Sequence, residues 1–121
     1  MTNNNLLISN IVEGILEKKG KEILVLDLKK IGHAFCDNFI ICHADSNTQV
    51  SAIADSIEKK VKEGLNIKVH HREGVSNSIW VLLDYNDVLV HIFQTEFREY
   101  YKLESLWGDA QITKIEESYN F

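Results

Sequence analysis

Residues 80–94 read WVLLDYNDVLVHIFQ, two apolar runs of strand character on either side of the dipeptide Asn86-Asp87. Neither run alternates apolar with polar residues. Each therefore predicts a strand covered on both sides, as happens centrally in a sheet with helices on its faces. The short spacing makes the two strands antiparallel neighbours, because parallel partners need a connection of a dozen residues or more. A two-residue loop of this kind calls for positive φ at both positions, and Asn and Asp tolerate that best after glycine. Asp87 is thereby assigned to the turn. Asp84 falls at a strand end on the same face as Trp80 and Leu82, where a carboxylate is costly if buried unpaired and a binding feature if exposed.

Working outward, the runs EILVLDL (22–28), NFIICHA (38–44) and IKVHHRE (67–73) predict three further strands, the last with one wet face. A first helix is expected from about Leu6 to Lys19, with Gly14 weakening it and Gly20 in the left-handed position after its end. A second follows Ser46, where Ser46 and Gln49 form a capping box. Val50, Ile53, Ala54, Ile57 and Val61 then repeat at helical spacing as far as Gly64. Short helices are expected at TEFREYY and ESLWG. The order α-β-β-α-β-β-β-α, with a tight hairpin inside it, defines an α/β fold with a mixed β-sheet and helices packed on it.

The 121 residues fit one domain spanning 1–121, with no proline, no biased tract and no internal repeat to mark a linker. The N-terminus lacks a basic segment followed by an apolar core, and no apolar run is long enough for a membrane span, so a cytoplasmic protein without membrane contact is expected. Cys36 and Cys42 then read as reduced packing residues. Net charge is −5, which disfavours a dominant direct nucleic-acid contact. Residues 73–110 hold seven acids against Arg98 and Lys102, while the flanking segments nearly balance. A basic partner would be steered to that segment.

Two carboxylates holding catalytic magnesium must converge on one face. Asp84 and Asp87 are offset by three across a turn, and no Gly-rich phosphate loop precedes a helix, so the enzyme reading is disfavoured. His33, Cys36, Cys42, His43, His70, His71 and His91 show none of the spacings that fix a zinc site. No catalytic residue, metal or cofactor is expected. Trp80, Tyr85, Tyr100, Tyr101 and Trp107 share the acidic segment. Phe93 and Phe97 have core contexts, whereas Tyr85, Tyr100 and Trp107 fit either a core or a protein-contact role. Acid and aromatic residues together nominate Trp80, Asp84, Tyr85, Asp87, Tyr100, Glu104 and Trp107 as a surface for a basic protein.

The successive motifs D-Y-x-D-V-x-V-H, F-Q-x-E-x-R-x-Y-Y and L-W-G-D-A occur with VLDLKKI, DNFIICHADSNTQVSAIAD and Glu73-Gly74. Together they resemble the ribosomal silencing factor family, also called the Iojap family, over about residues 7–111. The resemblance implies a domain shaped like a nucleotidyltransferase without that activity, usually a homodimer. It implies binding to the large ribosomal subunit through large-subunit ribosomal protein fourteen, which blocks subunit joining and represses translation under nutrient limitation. The alternatives are a large-subunit assembly factor or a metal-dependent nucleotidyltransferase. Asn86 stands where the family usually has glycine, and Thr95 and Lys102 where proline and an acid are common. Lys102 removes a negative charge from the expected surface.

Overall fold

A computed structural model describes residues 4–32, 36–102, 108 and 110–116, with only the backbone of Tyr100 and Tyr101. The elements are α1 (Asn4–Glu17), β1 (Lys21–Asp27), β2 (Asn38–Ala44), α2 (Asn47–Leu65), β3 (His71–Glu73), β4 (Trp80–Asp84), β5 (Val88–Gln94), α3 (Thr95–Tyr101) and β6 (Gln111–Ile115). The strands form one sheet in the order β3-β4-β5-β2-β1-β6. It is mixed: β2 and β5 run parallel, with Ile40 opposite Val90, and the remaining neighbours are antiparallel. The α/β expectation holds. β6 is not among the expected strands, and residues 104–107 of the expected helix at ESLWG lie outside the described residues.

Strand alternation divides the core into two layers. Ile40, Cys42, Ala44, Val81, Leu83, Val88, Val90 and Ile92 face α1 and α2, meeting Ile11, Ile15, Val50, Ile53 and Ile57. Leu26, Phe39, Ile41, Leu89 and Phe93 occupy the opposite face with Trp80, Leu82 and Phe97 against them. β5 is buried on both sides as its sequence predicts. β4 is not: Val81 and Leu83 are buried while Trp80, Leu82 and Asp84 are only partly covered. The apolar run of β4 therefore reflects one face under the helices and one face that is a semi-exposed apolar surface.

Capping explains where α2 begins. Ser46 accepts from the Gln49 amide at 3.1 Å. The Gln49 side chain does not close the box; it donates to the carbonyls of Lys18 and Lys19 at 3.1 and 3.3 Å and so ties α2 to the end of α1. α2 runs past Gly64 to Asn66, which takes the left-handed cap at φ 56°. After α1 it is Lys19, not Gly20, that has positive φ. Gly14, expected to weaken α1, sits where α2 comes close: a Cβ there would lie 2.9 Å from the Ile57 Cα. Ser56 donates to the Gly14 carbonyl at 2.8 Å at the same crossing. The third predicted strand is shorter than expected, pairing only over His71–Glu73.

Candidate partner-binding surface

The hairpin between β4 and β5 is built differently from the two-residue loop that Asn86-Asp87 predicts. Only Asn86 has positive φ, at 71°. The Asp87 amide donates to the Tyr85 carbonyl at 2.9 Å, the i→i+2 bond of a γ-turn, and the Tyr85 amide donates to the Val88 carbonyl at 2.9 Å. Asp84 stabilises this tight reversal by accepting the Asn86 amide at 2.7 Å. Positive φ at both loop residues was thus a wrong expectation, because side-chain and i→i+2 bonds take the amides that a longer-range turn would engage.

Asp87 has a second structural task. Its carbonyl accepts the amides of Asp37 and Asn38 at 2.9 and 3.1 Å, fastening the start of β2 to the turn. Asp37 in turn accepts from Asn4 at 3.0 Å. Asp37, Asp84 and Asp87 thereby gather at one end of the sheet, close to Cys36. Burial first, and these three carboxylates after it, push the Cys36 thiol up to about 11. Burial alone pushes Cys42 up, to about 12, with Arg98 opposing. Both cysteines are neutral packing groups at physiological pH.

Trp80 lies on the semi-exposed face. Its indole stacks on Phe93 with ring centroids 4.9 Å apart and donates Nε1–H to His91 Nδ1 at 3.1 Å. His91 is 6% exposed and meets Phe39 edge-on at 4.7 Å. Burial lowers its pKa to about 4, so the ring is neutral and Nε2 bears its proton. That Nε2 is buried without a hydrogen-bond partner.

Tyr85 corrects the surface reading. It is 5% exposed and belongs to the core layer under α1 and α2, on the other side of the sheet from Trp80 and Asp84. Strand alternation accounts for this, since Tyr85 follows Asp84 by one residue. Burial, with Glu58 next in effect, raises its phenol pKa, and the hydroxyl has no partner. Tyr100 belongs to α3, and its side chain lies outside what the structure describes. Glu104 and Trp107 lie outside the described residues. Trp80, Leu82 and Asp84 thus share one face of β4, while Asp37 and Asp87 lie with Asp84 at one end of the sheet. Asp37 was missed because charge was counted along the chain, and it falls in a segment whose charges nearly balance.

At the opposite end of the same face, α3 is held by Arg98. This side chain is 8% exposed and donates to the Glu22 carbonyl at 2.6 Å and to His43 Nδ1 at 3.0 Å. Burial, and then the Arg98 guanidinium, lower the His43 pKa. The shallow groove beside them, about 460 Å³, is lined by Glu22 and Glu99 against Arg98 and Lys102, so its charges balance.

Fold and surface define a mixed α/β domain whose sheet is sealed by helices on one side and offers an acid-edged apolar face on the other. The family model described as "Ribosomal silencing factor during starvation" matches residues 2–120. The chain belongs to the ribosomal silencing factor family. It is 40% identical over 113 residues to the ribosomal silencing factor of Halalkalibacterium halodurans, covering 93% of this chain and 95% of that protein. The Bacillus subtilis factor is 41% identical over 104 residues, covering 86% of each. A crystal structure of a Chromobacterium violaceum protein superposes with a TM-score of 0.82 at 34% identity, covering 88% of each chain. One from Bacillus halodurans gives 0.77 at 36% identity, covering 93% of this chain and 99% of that one.

Proposed function

We propose that the protein binds the large ribosomal subunit through large-subunit ribosomal protein fourteen, occupies the face that meets the small subunit, and represses translation by preventing subunit joining. The observation that carries this reading is the sheet face opposite α1 and α2. There the half-buried Trp80 and Leu82 line the face of β4, and the strand ends at Asp84, where Asp37 and Asp87 also gather. Apolar and aromatic anchors edged by acid suit a basic protein surface, in which a few central side chains supply most of the affinity and charge guides the encounter.

The mechanism is steric and involves no reaction. Asp84 braces the hairpin and the Asp87 backbone closes its turn and fastens β2, so the pair serves structure and surface charge. Tyr100, Glu104 and Trp107 remain proposed contacts, Tyr85 does not, and a homodimer remains part of the proposal. Sedimentation of the purified protein with separated subunits tests the reading. Co-migration with the large subunit, and a lowered fraction of joined ribosomes without added nucleotide, are expected. Equal co-migration with the small subunit would overturn it. Preferential binding to large-subunit precursors would favour the assembly role instead.

A further inference from the structure

We propose that His91 is a positioning residue that fixes the indole of Trp80 in the orientation used for docking; this rests on the reading of that face as the binding surface. Two restraints on the indole are seen among the described residues. Stacking on Phe93 sets the plane of the ring. A stacked ring can still turn within its plane, and the 3.1 Å bond from Nε1–H to His91 Nδ1 selects the edge that points inward.

Packing does not explain an imidazole at this position. His91 is nearly enclosed, lies edge-on to Phe39, and leaves Nε2 buried without a partner. A buried, unpaired N–H is unfavourable, and a phenyl ring would fill the same slot without one. What phenylalanine cannot supply is the acceptor for Trp80. An anchor whose rotamer is already set loses less freedom when a partner closes over it, so the gain appears in binding and not in folding.

Binding to purified large ribosomal subunits, urea unfolding, and the Trp80 indole N–H resonance test this together. His91→Phe should weaken binding about three- to tenfold through faster dissociation, the range expected for one side chain that must be ordered on docking. Its unfolding midpoint should be unchanged or higher, and its indole N–H should exchange faster. His91→Asn, whose side-chain oxygen sits as many bonds from Cα as Nδ1 does, should recover slow exchange and part of the affinity. Trp80→Phe removes the donor from the other side, and adding His91→Phe to it should cost nothing further. A His91→Phe protein that folds and binds with unchanged dissociation, while Trp80→Ala binds poorly, would overturn the role of His91 alone. Unchanged binding by Trp80→Ala would overturn the docking face and the role of His91 with it. Should His91→Phe fail to fold, fast indole exchange in the unaltered protein, or full additivity between Trp80→Phe and His91→Asn, would equally overturn it.

Discussion

Asp84 accepts the backbone amide of Asn86 at 2.7 Å, so the carboxylate that ends the β4 face carrying Trp80 and Leu82 is also the brace of the hairpin that follows it. The left-handed backbone at Asn86, φ 71°, is the other requirement of that turn. Asn86→Gly should therefore be neutral or slightly stabilising, whereas Asn86→Ala should cost about 1 kcal/mol or more, since a Cβ is disfavoured at positive φ. Asp84→Ala should cost about 0.5–1 kcal/mol from the lost acceptor. Urea unfolding of the three variants checks the order.

The enclosed phenol of Tyr85 leads to a separate expectation. Its hydroxyl is buried without a partner, so Tyr85→Phe removes an unsatisfied group and keeps the ring. The variant should match or exceed the stability of the unaltered protein and bind large subunits equally well. Tyr85→Ala should destabilise by about 3 kcal/mol or more through the cavity it leaves. A Tyr85→Phe protein that is stable but binds poorly would return this residue to the contact surface.

Much of this architecture was legible because local signals agreed with tertiary ones. NFIICHA and VLVHIFQ are strands with the boundaries their apolar runs suggest, and the stripe from Val50 to Val61 is the buried face of α2. β6 was not legible: QITKI is almost wholly exposed and takes its strand form from pairing with β1, a long-range contact that no local pattern encodes. The surface was legible in composition and wrong in part by parity. Trp80 and Asp84 share a face at an even offset, and Tyr85 at an odd offset from both does not. His91, weighed in the sequence only as a metal ligand, shows no sign there of its bond to Trp80, because one histidine in a buried strand gives no such signal until its partner across the ladder is known.

Acid should weaken the fold in a window set chiefly by His91. Its pKa in the folded protein is about 4, against 6.5 for an ordinary histidine. The unfolded chain therefore takes up the proton first as pH falls. Stability is full above about 6.5, falls by about 1.4 kcal/mol for each pH unit below it, and the loss is complete near 4. His43, shifted down by burial and by Arg98, acts with the same sign. Unfolding free energies measured across this range should drop steeply, and His91→Phe should flatten the profile. An equally steep profile in that variant would assign the effect to other groups.

Charge and anchoring should separate in the kinetics of binding to the large subunit. Asp87 holds β2 through its backbone carbonyl, so Asp87→Lys leaves that bond in place while reversing a charge at the acidic end of the sheet. Carboxylates at an interface edge act mainly on the rate of encounter, and salt screens them. Asp87→Lys should therefore slow association and flatten its salt dependence with little change in dissociation. Trp80 is a half-buried aromatic ring on a rigid strand, the kind of group that governs how long a complex lasts. Trp80→Ala should speed dissociation by an amount equivalent to about 2 kcal/mol or more. Rapid-mixing or surface-binding measurements at two ionic strengths, on variants shown to be folded, distinguish the two effects. If Asp87→Lys alters dissociation alone, the carboxylate is a buried contact and not a steering charge. If neither variant alters either rate, the partner docks on another face of the sheet.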